Sequence, residues 1–139
     1  MGLEKILVDT SAWILSFKKT GDPRLKDFLR QSIPAGNVST CSLIILELLQ
    51  GCRTEEERDS LKIKMESLDV FSFTASTWEQ AYELGFTLRR KGLTIPTTDL
   101  IIAALALENK CVLLHQDQHF EKIASCFSHL RTKSFKTKG

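Results

Sequence analysis

Four carboxylates stand beside or inside the most apolar segments of the chain, where an isolated carboxylate is costly. Asp9 follows LEKILV, Glu47 interrupts SLIILELLQG, Asp99 opens TTDLIIAALALE, and Asp117 lies just past KCVLL. Keeping a carboxylate ionised in poorly solvated surroundings costs several kcal/mol unless something compensates. Most of the four have no Arg or Lys next to them in sequence. If they converge in space, a divalent cation is the compensation, because a cluster of oxygen donors is what Mg²⁺ or Mn²⁺ takes. Phosphodiester hydrolysis needs a nucleophilic hydroxide and relief of charge on an anionic transition state, and carboxylate-held metal supplies both. The residue types therefore point first to a metal-dependent phosphodiesterase. Without metal the clustered acids repel, so some are expected to hold protons at a raised pKa.

Taken singly, each acid has a plainer explanation. Asp9 can cap the helix that follows it, Asp99 suits the first turn of a helix, and Asp117 in HQDQHF suits a turn. Glu47 is harder to place, since Leu43 to Leu46, Leu48 and Leu49 surround it and only Gln50 and Gly51 offer a solvent-facing strip. Thr10 and Ser11, beside Asp9, are candidates to orient a water or a phosphate, or to serve as the cap. His115 and His119 flank Asp117 at a spacing that suits zinc only within a helix, and a strand is expected to end near Leu114. His115 can still lie at the acidic edge as a hydrogen-bonding side chain or phosphate contact.

These residues need elements to carry them. Lys5–Val8 reads as a short buried strand, with Thr10 or Ser11 capping a helix to about Phe17. Asp22-Pro23 opens a second helix that ends at Pro34-Ala35-Gly36. A strand over Asn37–Thr40 leads to a Ser42-capped helix carrying Glu47. Thr54-x-x-Glu57 is a capping box for a charged helix to about Leu68, followed by a strand over Val70–Phe73. Thr77-x-x-Gln80 opens a helix whose stripe Trp78, Ala81, Tyr82, Gly85 and Leu88 is read as core, and Gly92 stops it. The segment from Thr98 to Glu108 is apolar almost all round and is read as a central helix. A strand over Cys111–Leu114 and a short helix over Phe120–Ala124 complete the pattern. Strands alternating with helices predict an α/β fold on a mainly parallel sheet, whose ligands bind at the C-terminal strand edges. Asp9 and Asp117 both fall at such an edge, and Asp99 and Glu47 would reach it from helices.

The chain has 139 residues, with 19 basic and 17 acidic side chains, so bulk charge does not announce a nucleic-acid binder. Basic residues do cluster: Arg89, Arg90 and Lys91 close one helix, and Arg131, Lys133, Lys136 and Lys138 form an acid-free tail. The tail is a candidate for phosphate contacts, with plain solvated surface as the alternative. The start is too short and acidic for a secretory signal, and no apolar run approaches the roughly 20 residues that span a bilayer, so a cytoplasmic protein is expected. The cysteines, Cys41, Cys52, Cys111 and Cys126, show no CxxC pairing and are read as reduced small hydrophobes. With no repeat or linker, residues 1–139 read as a single domain.

In order along nearly the whole chain, VDTSAWI, SLIILELLQG, TTDLIIAALA and LLHQDQHFEKI resemble the motifs of PIN-domain ribonucleases, more narrowly the VapC-type toxins of toxin–antitoxin pairs. The resemblance implies an α/β/α sandwich, Mg²⁺- or Mn²⁺-dependent endonucleolytic cleavage of RNA, homodimerisation, and inhibition by a VapB-type antitoxin. By matching position it makes Asp9 and Asp99 the principal metal ligands, with Glu47 and Asp117 completing the site directly or through water. The chain departs from the family pattern twice. His115 stands where Thr or Ser is usual, and His119 where Asp is common although His also occurs. A haloacid-dehalogenase-like phosphatase would need a second Asp where Ser11 stands. A catalytically decayed PIN-like interaction module is the non-enzymatic alternative, and the presence of all four acids argues against decay.

Overall fold

In the computed structural model, which describes residues 3–135, five short strands form one sheet in which every pairing is parallel. In chain order the elements are β1 (Ile6–Val8), α1 (Thr10–Phe17), α2 (Pro23–Ala35), β2 (Val38–Cys41), α3 (Ser42–Gln50) and α4 (Glu55–Glu66). They continue through β3 (Asp69–Phe71), α5 (Ala75–Arg90), α6 (Thr97–Glu108), β4 (Val112–Leu114), α7 (Gln118–Cys126) and β5 (Thr132–Lys133). The strand order is β3-β2-β1-β4-β5, an α/β/α sandwich as expected. β1 is central and buried along its whole length, which is why ILV carries no polar alternation. The chain builds outward from β1 to β3, then returns to place β4 on the other flank of β1. The turns after β1 and β4 therefore flank the point where the strand order reverses, the usual ligand crevice of an open parallel sheet.

The local signals explain most element ends. Asp22 caps α2 by accepting the Arg24 N–H at 2.8 Å, with Pro23 in its first turn. The helix stops at Gly36, whose φ of 81° is the left-handed cap glycine tolerates best. Thr54 accepts the Glu57 N–H at 3.1 Å and so starts α4 as expected.

Other boundaries differ from expectation. Of the three caps offered for α1, Asp9 is the one used, and Thr10 and Ser11 lie inside the helix. Cys41, without a side-chain bond, precedes α3, so Ser42 is its first residue and not its cap. α5 begins three residues early, because Thr74 and Thr77 form a reciprocal capping box ahead of the expected one.

The buried face of α5 also differs from expectation. Thr77, Ala81, Leu84 and Leu88 point into the core, whereas Trp78 and Tyr82 are 41% and 64% exposed. The expected core stripe ran about one residue, or 100°, off the true one, so Ala81 and Leu88 belong to it and the aromatics do not. α6 is the helix most enclosed by apolar contacts, with Ile102 to Ala106 all buried. It packs along α5 and against β4, which lets its first turn point at the sheet edge. All four cysteines are free thiols, and burial pushes the Cys111 thiol up to about 11. Lys136 and Lys138 of the basic tail lie outside the described residues, and Lys133 sits over the rings of Phe28 and Phe135.

Candidate active site

Asp9 enters the site because β1 ends there. Its N–H still donates to Leu114 O at 2.9 Å, so the last rung of the β1–β4 ladder ties the two turns together. Its side chain then caps α1, with Oδ2 accepting from Ser11 N at 2.9 Å and Ser11 Oγ at 2.5 Å. The same Ser11 Oγ accepts the N–H of Gln116 at 3.0 Å, which locks the turn after β1 to the turn after β4. Thr10 Oγ1 donates to Glu47 Oε1 at 2.8 Å, carrying the register of α1 across to α3. Each hydroxyl hydrogen is thus committed to one carboxylate: Ser11 holds Asp9 and Thr10 holds Glu47.

Asp117 caps α7 through Oδ1, which accepts His119 N at 2.9 Å. Asp99, in the first turn of α6, approaches from the other side. The His119 ring lies between them, with Nδ1 3.0 Å from Asp99 Oδ2 and 3.0 Å from Asp117 Oδ1. A capping Asp therefore serves as both cap and cluster member: the two explanations offered for Asp9 coexist, and Asp117, expected in a turn, is a cap as well. The structure brings Asp99, Asp117 and His119 within metal-binding distance of one another, their donor atoms all within 4.8 Å. Asp9 sits close enough to raise the Asp99 pKa by repulsion, whereas Glu47 is held by Thr10, the residue after Asp9, and is not among the donors that meet.

His115 takes a different place. It is 1% exposed, its Nδ1 accepts the Asp117 N–H at 3.1 Å, and its Nε2 lies 2.7 Å from Glu121 Oε1. An acceptor Nδ1 leaves the proton on Nε2, so the ring donates to Glu121. Glu121 is bonded in turn by Thr132 Oγ1 at 2.8 Å. With both nitrogens engaged, the expected phosphate contact at His115 has no free atom to make it, and zinc shared with His119 has no second nitrogen. His115 instead holds the backbone on which Asp117 is mounted. Gln116 and Glu121 were not legible as site supports. Gln116 Oε1 accepts Phe135 N at 2.8 Å and ties the segment just after β5 to the crevice wall. The HQDQH string marks Gln116 as polar but not as buried.

The electrostatics follow from burial. Asp9 is 4% exposed, and desolvation outweighs its Ser11 hydrogen bonds to raise its pKa. Asp99 is pushed up to about 6 by burial first, then by Asp9 and Asp117, with His119 pulling the other way. Among the described residues no Lys or Arg pairs with any of the four acids, and Asp9 Oδ1 has no protein donor. An oxygen-rich set, partly desolvated and short of positive charge, fits a divalent cation.

A family model for the PIN domain matches residues 6–125. The chain is 30% identical over 134 residues to ribonuclease VapC11 of Mycobacterium tuberculosis and to a VapC ribonuclease of Mycobacterium bovis, covering 94% of this chain and 99% of theirs. The fold is similar to the VapBC2 complex of Rickettsia felis bound to a promoter DNA fragment, with a TM-score of 0.76 at 21% identity, covering 94% of this chain and 98% of that one. It is also similar to VapC20 of Mycobacterium tuberculosis, described as a sarcin-ricin loop cleaving toxin, with a TM-score of 0.63 at 24% identity over 91% of this chain and 99% of that one. With its acids gathered where the strand order of a parallel sheet reverses, and with a match spanning β1 to α7, the chain belongs to the PIN-domain family, in its VapC branch.

Proposed function

We propose that the chain is a Mg²⁺- or Mn²⁺-dependent endoribonuclease, the toxin of a toxin–antitoxin pair, which hydrolyses RNA phosphodiester bonds at Asp9, Glu47, Asp99 and Asp117. The observation that carries this reading is the convergence of Asp9, Asp99 and Asp117, raising Asp99 to about 6, with no Lys or Arg partner among the described residues. Acids left in mutual repulsion favour a bound cation, and the family of the chain supports which reaction that cation serves.

Asp9 and Asp99 would hold the ion, with Asp117 and Glu47 completing the set directly or through water. A divalent ion there activates water and offsets charge on the phosphate during displacement. The chain supplies the rest. Ser11 and Thr10 fix the angle at which Asp9 and Glu47 face the crevice. His115, through the backbone of Asp117, fixes the fourth acid. The polar edge stays open on the RNA side, while the core beneath excludes water from the backs of the carboxylates.

In the cell we propose a cytoplasmic homodimer held inactive by a VapB-type antitoxin, folded as one domain over residues 1–139. Such a partner would offer a basic side chain to the acids, Arg being the strongest bidentate donor. Among the described residues no helix is long and apolar enough to cross a membrane. The test is purified, antitoxin-free protein on total RNA with Mg²⁺, with cleavage ends mapped. Discrete new ends are expected with the wild type, together with toxicity when it is expressed alone. Soluble wild type that leaves RNA intact and cells unharmed would return the decayed-module reading.

A further inference from the structure

We propose that His119 is itself a ligand of the ion in this site, through Nδ1, and that this nitrogen turns the site from Mg²⁺ toward the transition ions Mn²⁺ and Co²⁺. The inference rests on the metal-dependent reading above and adds to it a ligand and a selectivity.

The placement of the ring supports it. Nδ1 is 3.0 Å from Asp99 Oδ2 and 3.0 Å from Asp117 Oδ1. An octahedral ion with bonds near 2.1 Å holds adjacent donors about 3 Å apart, so Nδ1 stands at the spacing of a neighbouring ligand from each carboxylate oxygen, and all three donors lie within 4.8 Å of one another. Nδ1 stands between the two carboxylate oxygens, where it could join them on one ion. The ring is held there. His119 is the second residue of α7, its backbone N–H is fixed by the Asp117 cap at 2.9 Å, and the side chain is 32% exposed. Nε2 has no protein partner among the described residues, so it can keep its proton and face water while Nδ1 binds.

The chain has three histidines, and the other two are out of play. His115 has both nitrogens engaged. His129 lines a cavity with Gln80, Lys110 and Arg131, and Lys110 and Arg131 precede β4 and β5, at the opposite edge of the sheet. Any nitrogen on the ion is therefore that of His119.

Selectivity follows from the donor. Mg²⁺ is hard, prefers oxygen and sheds water reluctantly, whereas imidazole adds affinity for first-row transition ions that rises from Mn²⁺ to Co²⁺. An Asp at this position would leave an all-oxygen set, so the single change from carboxylate to imidazole is what shifts the preference.

The test uses the full chain loaded with Mn²⁺ and read by electron spin-echo modulation, which detects nitrogen bound directly to the ion. The wild type should show one coupled ¹⁴N, and His119→Asp should lose it while still binding Mn²⁺. Calorimetric titrations with Co²⁺, Mn²⁺ and Mg²⁺ should show the Co²⁺-to-Mg²⁺ affinity ratio falling about tenfold or more in His119→Asp. Mn²⁺ bound to the wild type with no ¹⁴N coupling, coupling that survives His119→Asp, or an unchanged ratio would overturn the ligand assignment and leave the metal-dependent nuclease reading standing. Failure of the wild type to bind any of the three ions would remove both.

Discussion

The two edges of the sheet treat their acids in opposite ways. At the N-terminal edge two acids meet bases: Glu4 pairs with Arg131, which also donates to Lys110 O, and Asp69 accepts Lys5 at 2.9 Å. These groups are exposed and roughly half in water, so the pairs are nearly neutral energetically and serve to keep the edge solvated. At the C-terminal edge Asp9, Asp99 and Asp117 are gathered with only His119 between two of them. The fold tolerates that repulsion in one place and avoids it in the other. The contrast separates acids placed for solubility from acids placed for chemistry.

The largest effect should come from neutralising the unpaired edge. Asp99→Asn and Asp9→Asn are each expected to reduce RNA cleavage at least about a thousandfold, roughly 4 kcal/mol of transition-state stabilisation, with the circular dichroism of the wild type. Near-normal cleavage by both variants at equal purity would erase the distinction between the edges.

A smaller effect concerns metal-free stability. Asp99 titrates at about 6 in the folded chain against an ordinary 3.8, so between those values the folded state holds a proton that the unfolded state has released. Stability conferred by that proton is full below the lower value and is lost as pH rises through about 6. In excess EDTA, Asp99→Asn should match the wild type near pH 4 and exceed it at pH 7 by about 1–3 kcal/mol. Parallel thermal melts at the two pH values check this, and a gap that does not change with pH contradicts it.

Smallest of all should be Lys5→Ala at the paired edge, with less than about 1 kcal/mol lost and cleavage unchanged. A large loss of activity there would show that the edges are coupled. Replacing Lys136 and Lys138 by Gln should leave cleavage positions in place and flatten the salt dependence of RNA binding by up to about 0.7 in slope per lost phosphate contact. An unchanged slope would make the tail plain solvated surface.

The legible parts of the fold were those that local chemistry decides. ILV before Asp9 and VLL before His115 announce buried parallel strands, because only strands enclosed on both faces dispense with alternation. Their ends place Asp9 and Asp117 at one edge from the sequence alone. The start of α5 was less legible because Thr74 and Thr77 are as good a cap pair as Thr77 and Gln80, and its face was less legible because the stripes through Trp78 and through Thr77 both have helical spacing and only packing chooses between them. At the site, the role of His115 turned on burial, which HQDQH does not encode, since short polar strings after a strand look alike whether covered or open. The meeting of His119 with Asp99 joins α7 to α6 across 20 residues of sequence, and only the packing of those helices brings it about. A capping Asp two residues before a His was the available signal, because a cap fixes the ring that follows it.

The most direct test of the central claim is a calorimetric titration of Mn²⁺ into metal-free wild type and metal-free Asp99→Asn at neutral pH. Saturable binding by the wild type, weakened at least about tenfold in the variant, is the predicted result, because removing one of the clustered charges removes a ligand of the ion. Equal binding by the two proteins would contradict the claim that these acids are gathered to hold a metal.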